Sequence, residues 1–595
     1  MCGIVGSIND INNLNHEKAL KSLSRRGPDN SGEFTDFENN LWLGHTRLSI
    51  QDTSEKGNQP MFLDYKKDLV IVFNGEIYNY KKLKKEFELD GISFNSNSDT
   101  EILLWSYKKY GKEIFKKIEG MYAFAIWDKS KKSLILARDP IGQKPLYYYY
   151  SSDGVLYFGS TLNALLSLLP FKPNVSKKAF AFCLSLGYIP NNLTVYEGIN
   201  SVEKGHFIEL TNEKSLEINQ YWDVNDIPFQ DKKIDNKIEN FNSIFQEVCF
   251  EHLISDVPVG LLLSGGLDSS SIAYSLRNSN NLTTYSLNFD SEQSESDLAE
   301  ESAKSLGLRF KKLSLFKSEI NNLQNEVANF SNQPQGYSSL LTWFSISKEI
   351  SKYVKVIISG DGGDEVFGGY KWYRRRKKRE LFLNLYRSIS SELDFKFYKY
   401  SLKSELHRHW ILQFPRFLPE ESCDLLDLKN DIFNDDILIN QFQKYFCKDL
   451  PLIDSLKRVD LMTFCSDHIC KKTDEMSMAH SLEVRAPFLD RRIIEFGLSH
   501  RTNEYDKKNS KKILRNFIKN KLPKKVVSME KKGFSLINKN PNYQYLINEI
   551  KSSKIVKDGI IRDDFGKSLL IPSIYRNSRI FTLANLSKWY EINVE

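Results

Sequence analysis

The N-terminal part of the chain alternates short apolar runs with polar turns. Leu69–Phe73 is an unbroken apolar, β-branched run, and Tyr122–Trp127 and Leu134–Ala137 are others. Tyr147–Tyr150 and Val155–Phe158 flank Ser-Ser-Asp-Gly, where Asp153-Gly154 predicts a hairpin. A helical pattern covers Glu101–Tyr110. Residues 2–215 therefore read as a sheet-rich α+β domain. The stretch 216–236 is polar and irregular and is expected to be a linker. Residues 237–595 open with a helical pattern over Lys237–His252, after which strand-like and helix-like runs alternate. Val259–Leu263, Thr283–Leu287 and Lys355–Ser359 read as buried strands, and Asp268–Leu276 and Glu295–Leu306 as helices. Such alternation predicts an α/β domain with a parallel sheet. From about residue 370 the pattern is mainly helical. In parallel sheets ligands bind outside the carboxyl ends of the strands, and two Gly-rich stretches fall at such ends.

Composition adds limits. At 595 residues and 41% apolar content, the chain fills two or more cores. A net charge of +7 is mild for this length and implies no nucleic-acid partner. The basic run Arg374–Arg379 reads as a solvated face. Seven cysteines without a CxxC or a Cys/His cluster fit reduced thiols rather than disulfides or zinc. Cys465 and Cys470 read as core residues. With no membrane-length apolar run and no signal-type start, a cytoplasmic protein is expected.

Cys2 introduces the chemistry. Once Met1 is removed, Cys2 carries both a thiol and an α-amine whose ordinary pKa is about 7.7–8.0, so one residue supplies nucleophile and base. An amino-acid substrate needs a guanidinium for its carboxylate and an acid for its ammonium. Acyl transfer needs donors aimed at an oxyanion. Arg47, Asp99, the Asn74 side chain and the Gly75 N–H suit those needs, with Glu76 beside them where Asn74-Gly75-Glu76 follows a buried strand and emerges at its end. Taken singly, Arg47 also reads as a surface ion pair, Asp99 as a helix N-cap and Asn74-Gly75 as a turn.

MCGIVG, RRGPD (25–29), GHTRLSI (44–50), FNGEIYNY (73–80), SDTE (98–101) and ARDPIGQKPLYY (137–148) together resemble the glutaminase domain of N-terminal-nucleophile amidotransferases. The resemblance implies an αββα sandwich in which Cys2 attacks the glutamine amide and releases ammonia. It also implies glutamine binding by Arg47, Asn74, Gly75, Glu76 and Asp99.

The segment Ser264-Gly265-Gly266-Leu267-Asp268-Ser269-Ser270 is built to hold phosphate, although it lacks a Walker ending. Glycines admit backbone N–H groups, hydroxyls add donors and a helix start follows. Asp268 in such a loop calls for a cation, and Mg²⁺ favours carboxylates with phosphate oxygens. The full segment resembles the pyrophosphate loop of ATP pyrophosphatases. The second Gly-rich loop places Asp361, Asp364 and Glu365 within Ser359–Tyr370, acids that repel one another unless they bind cations.

With Lys472, Asp474, SLEVRAPFLD (481–490), KKILR (511–515) and Lys531-x-Gly533-Phe534, these loops resemble asparagine synthetases. The resemblance implies ATP contacts at Leu263, Ser264, Gly265, Gly266, Asp268, Ser269, Leu287, Ser359 and Gly360, and Mg²⁺ on Asp268 and Asp364. It implies aspartate binding by Glu365 and Lys472, and catalytic roles for Asp361 and Lys531. Two departures stand out. Asp361 is shorter than the Glu of many members, and Met529 replaces an Arg. The activity implied is ATP-driven amidation of aspartate through aspartyl-AMP, with ammonia passed between buried sites in a possible homodimer, and with neither nucleic acid nor membrane as partner. Motifs do not define the acceptor pocket, so a sibling acting on another carboxylate, such as a sugar acid of surface polysaccharide, stays open. A β-lactam-forming cyclase conflicts with the retained Cys2. Intact Cys2, Asp268, Asp364 and Lys531 weigh against a sensor without turnover.

Overall fold

The computed structural model describes the chain except residues 1, 12–14, 64–66, 191, 212, 214, 234–236, 280, 289–294, 315–322, 375–391, 414, 503–509, 529–542, 570–574 and 595; every structural statement below concerns the described residues. In the N-terminal part the strands are β1 (Gly3–Ile8), β2 (Asn30–Asp36), β3 (Leu41–Arg47), β4 (Met61–Phe62), β5 (Leu69–Ile77), β6 (Gly120–Asp128), β7 (Ser133–Arg138), β8 (Tyr147–Tyr150), β9 (Leu156–Gly159), β10 (Ile199–Ser201), β11 (His206–Leu210) and β12 (Leu216–Gln220). They form two six-stranded sheets, ordered β10-β8-β9-β1-β3-β2 and β12-β11-β7-β6-β5-β4. All their pairings are antiparallel.

The period of two along each strand explains the layers. On β5, Val70 and Val72 join Ile4, Leu41, Leu43, Ala123, Ala125 and Leu136 in the core between the sheets. Ile71 and Phe73 face the other way, onto Leu83 and Phe87 of the helix Tyr80–Leu89 and Ile102 and Leu103 of the helix Asp99–Tyr110. The first sheet is covered in the same manner by the helices His16–Leu23, Leu162–Leu168 and Lys177–Leu186, through Leu23, Leu165 and Phe180. Strands covered on both faces read as continuous apolar runs, as Leu69–Phe73 does. The result is the expected αββα sandwich. The Asp153-Gly154 hairpin joins β8 to β9, with Gly154 at φ +83° and Ser151 N–H donating to the Val155 carbonyl at 2.9 Å.

The polar stretch after residue 215 carries structure of its own. β12 extends the second sheet as an edge strand, which is why its sequence is polar. β13 (Gln230–Lys233) pairs in parallel with a short strand at His500–Arg501.

The C-terminal part is built on β14 (Val259–Leu262), β15 (Thr283–Asn288), β16 (Arg309–Ser314), β17 (Val356–Ile358) and β18 (Glu483–Arg485). These five form one parallel sheet in the order β16-β15-β14-β17-β18. Because β14 and β17 are neighbours, the two Gly-rich loops leave the sheet side by side. Most of the remainder is helical, from Glu392–Ser401 to Arg576–Asn593. Within it, a continuous helical run from Leu452 to Met478 passes through wider i→i+5 turns at Leu461–Cys470, a feature frequent near functional sites. No helix is long and apolar enough to cross a membrane.

Candidate active sites

Strand periodicity brings the first site together. Cys2 precedes β1 on the face of Ile4 and Ile8; Arg47 follows Leu41 and Leu43 at even steps on β3; Asn74 and Glu76 follow Val70 and Val72 on β5. All four therefore lie on the inner faces of the sandwich, at its open end. The expectation that Asn74-Gly75-Glu76 emerges beyond a strand end is corrected here: β5 runs on to Ile77, and its inner face changes from apolar to polar at residue 74.

Cys2 is buried, and its backbone N lies 3.2 Å from Asn74 Oδ1. Asn74 Nδ2 is then a buried donor without a partner among the described residues. Such a group carries a desolvation cost until something accepts from it. Phe73 N–H points to Gln59 Oε1 at 2.6 Å and Ile77 N–H to Asp99 Oδ2 at 2.9 Å, both away from β6. Strand geometry turns the intervening Gly75 N–H the same way. A Cβ on Gly75 would fall 2.2 Å from the Met121 carbonyl of β6, so only glycine permits this close pairing.

Arg47 is buried under the loop 51–58, donating to the Ser54 carbonyl at 2.7 Å and Asn58 Oδ1 at 2.9 Å, as well as to the carbonyls of Gln51 and Asp52. It is therefore not a surface ion pair. Nor is Asp99 the cap of the helix Asp99–Tyr110, since Ser98 accepts from Thr100 N–H in that position. Cys2, Arg47, Gly75, Glu76, Asp99 and Glu483 line one cavity. Burial pushes the Cys2 thiol up, so it does not ionise unaided at neutral pH. Burial also raises Asp99 to about 6, against the pull of the Ile77 N–H. Glu76 is raised well above the usual range by burial, which Arg485 offsets only in part. Burial acts on Glu483 too, but Arg485 and its other cationic neighbours outweigh it and hold its pKa at about 2.

The second site lies at the carboxyl ends of β14 and β17. Gly265 has φ +71°, and Ser269 Oγ lies 3.2 Å from Ser264 N and 3.1 Å from Ser264 Oγ, closing the loop onto the helix Leu267–Ser275. The two loops touch: a Cβ on Gly360 would stand 3.1 Å from Asp268 Cβ, and one on Gly363 2.8 Å from its carboxyl carbon. Asp268 and Asp364 converge on one cation, the Lys511 ammonium, at 2.6 Å each. Gly369 leaves room for this group, since a Cβ there would fall 1.7 Å from Asp364 Oδ1. Asp361 Oδ2 accepts from Ser359 Oγ at 3.1 Å and Thr473 Oγ1 at 3.3 Å. Glu365 is buried and accepts from the Tyr370 hydroxyl at 2.5 Å. Leu263 and Leu287 are buried beside the loop, and Leu263 N–H donates to the Tyr285 carbonyl at 2.8 Å. Lys472 sets its ammonium 5.5 Å from the Trp343 ring centre. Lys531 and Met529 lie outside the described residues, as do residues 375–379 of the basic run.

A second cavity is lined by Gln143 and Lys144 of the sandwich and by Asp361, Cys470, Thr473 and Asp474 of the C-terminal part. Val484 lines this cavity, whereas Glu483 lines the one at Cys2. Successive strand residues face opposite ways, so β18 is the partition between the two. Arg26 crosses the same boundary: its Nε donates to the Cys2 carbonyl at 3.1 Å and its Nη1 to Asp474 at 2.7 Å. Arg26, Glu483, Arg485 and Lys511 are the functional neighbours that sequence reasoning passed over. Their signal was present in RRGPD, SLEVR and KKILR, but a motif does not show which domain a side chain serves.

Comparison with known proteins agrees with this division. The family described as glutamine amidotransferase domain matches residues 1–222, and the family described as asparagine synthase matches residues 240–591. Asparagine synthetase [glutamine-hydrolyzing] 1 of Bacillus subtilis is 32% identical, with 100% of this chain and 97% of that protein aligned. Putative asparagine synthetase [glutamine-hydrolyzing] 2 of Methanocaldococcus jannaschii is 34% identical over 62% of this chain and 76% of its own length. Among solved structures, glutamine phosphoribosylpyrophosphate amidotransferase of B. subtilis aligns with 52% of this chain and 65% of its own at 17% identity and a TM-score of 0.29. With one family spanning each half and a relative aligned end to end, the chain belongs to the glutamine-hydrolysing asparagine synthetases, enzymes that join a glutamine amidotransferase domain to an ATP-using synthetase domain.

Proposed function

We propose that the enzyme amidates L-aspartate to L-asparagine through aspartyl-AMP, with ammonia drawn from glutamine. The observation that carries this reading is the pair of cavities that share β18 as a wall, one holding Cys2 and the other Asp361. Arg47 grips the glutamine carboxylate, and Asp99 receives its ammonium, with Glu76 beside it in the glutamine cavity. The Cys2 α-amine takes the thiol proton as sulfur attacks the amide carbon. Asn74 Nδ2 and the Gly75 N–H receive the oxyanion; an unpaired buried donor is pre-organised for that charge. Ammonia leaves, and water hydrolyses the thioester to glutamate.

At the second site the loop from Ser264 to Ser269 holds the ATP phosphates, with Leu263, Leu287, Ser359 and Gly360 along the nucleotide. Glu365 and Lys472 bind aspartate. Asp268 and Asp364 already meet at one cationic point, so they fit a hard divalent cation. Mg²⁺ held by Asp268 and Asp364 would supply positive charge beside the phosphates. Aspartate carboxylate attacks the α-phosphorus, pyrophosphate leaves, and Lys531 stabilises the charge gathering on it. Ammonia then attacks the acyl carbon, Asp361 takes the proton released, and AMP departs. Ammonia in bulk water would be protonated and lose its nucleophilicity, so a passage across β18 is the economical route.

The test is to incubate the enzyme with glutamine, MgATP and L-aspartate and to follow asparagine and AMP by mass spectrometry, with ammonium replacing glutamine in parallel. Asparagine and AMP appear together and only with aspartate. Glutamine hydrolysis without either product would overturn the acceptor and direct a screen of other carboxylates.

The pH dependence has a definite sign. Asp99 pairs with an ammonium only when ionised, and in the free enzyme its pKa is about 6. At pH 5 about a tenth of it is ionised, so the KM for glutamine is about tenfold above its plateau and falls as pH rises through 6. Steady-state glutaminase kinetics from pH 5 to 8 measure this. In Asp99→Asn, KM is high throughout and the inflection is gone.

A further inference from the structure

Arg485 touches both sites through different atoms. Its backbone carbonyl accepts from Ser359 N–H at 2.8 Å, the first residue of the loop that carries Asp361, Asp364 and Glu365. Its side chain is fully buried and points the other way. Nη2 donates to Glu76 at 2.9 Å, Nε to Glu483 at 2.6 Å, and Nη1 to the carbonyls of His252 and Ile254 at 2.9 and 2.7 Å. Glu76 and Glu483 both line the Cys2 cavity, and Glu76 also accepts from Gln51 of that cavity. One residue is thus bonded to the acceptor loop by its peptide and to the glutamine cavity by its guanidinium.

The guanidinium is planar, and four of its bonds are fixed by buried partners, so it cannot follow a movement of its own backbone by changing rotamer. A displacement of Ser359 moves the Arg485 peptide, and with it the carboxylates it holds. Glu76 sits on β5 directly after Asn74 and Gly75, the donors assigned to the oxyanion.

We infer that Arg485 is a positioning residue that couples occupancy of the loop Ser359–Glu365 to the geometry of the glutamine cavity. Ligands bound at that loop thereby change the rate of glutamine hydrolysis at Cys2. The inference rests on the reading that nucleotide and acceptor bind there.

Glutaminase kcat and KM are measured with and without MgATP and L-aspartate, for wild type, Arg485→Lys and Glu483→Gln. Thermal melts establish that each variant is folded, and ammonium-driven synthesis is assayed alongside. In wild type the ligands change kcat/KM for glutamine by about fivefold or more, the usual lower range of coupling between sites. In both variants the change falls below about twofold, while ammonium-driven synthesis is kept. Arg485→Lys retains the charge but loses the planar fork; Glu483→Gln retains the arginine and loses one anchor, so the test survives misfolding of either. A wild type indifferent to the ligands overturns the inference. So does a folded variant that keeps the response, or one that loses ammonium-driven synthesis in equal measure. Absence of asparagine from wild type with either nitrogen source instead sinks the acceptor reading, and the glutaminase response to MgATP alone still tests the coupling.

Discussion

Replacing Cys2 with alanine abolishes asparagine formation from glutamine and leaves formation from ammonium within about twofold of wild type. On the proposed mechanism the loss is about 10³-fold or more, because nucleophile and base act as a unit and neither has a substitute in the cavity. Burial disfavours the thiolate, so attack by sulfur calls for a base to take the thiol proton. Cys2→Ser is expected to do little better, since a hydroxyl is a weaker nucleophile still. Parallel assays with the two nitrogen donors read the effect. Equal loss with both donors would mean that Cys2 supports the fold rather than the chemistry. The only change is a small side chain at the rim of the sandwich, so that outcome would also appear as a lowered melting temperature.

The second large effect falls on both nitrogen donors alike. Asp364→Asn removes one of the two carboxylates that meet at Lys511, within 2.6 Å. The variant still folds, because Asp268 continues to pair with the buried ammonium. On the proposed mechanism, what it loses is charge for a divalent cation, and with it the stabilisation of the departing pyrophosphate. Removing one such electrostatic group costs about 10²–10³-fold in rate. The measurement is exchange of labelled pyrophosphate into ATP in the presence of aspartate. Glutamine hydrolysis at Cys2 continues in this variant, so glutamate accumulates without asparagine.

Where the sequence was sufficient, the reason was periodicity. Leu69–Phe73 is apolar on both faces because helices cover one side and a second sheet the other, and that pattern announces a buried strand. The Gly-rich loops were legible as strand ends, because glycine there breaks a buried apolar run, and the structure places both at the carboxyl ends of neighbouring parallel strands. Strand length was less legible. Asn74 and Glu76 read as residues beyond a strand, but they share the inner face with Val70 and Val72; polarity marked a change of surroundings, not of backbone. Leu216–Gln220 read as linker for the same reason, since an edge strand facing water carries no apolar signature. The neighbours least visible were Lys511 and Arg485. Lys511 stands in a basic stretch like many others, and its meaning comes only from Asp268, distant in sequence and 2.6 Å away. Arg485 pairs across a domain boundary, and no local pattern records such a partner.

The seam between the halves limits which halves can be joined. Arg26–Asp474, Lys204–Asp467 and Arg485–Glu76 all cross it, with each side chain no more than 6% exposed. Leaving one partner of a buried pair behind costs about 3–5 kcal/mol. A glutaminase half transplanted onto a different synthetase would strand several of these charges at once. A substitution that removes one partner at the seam is therefore expected to need a compensating change on the other side. Chimeras between distant members should fail at the seam, and compensating charges placed there are what would restore them.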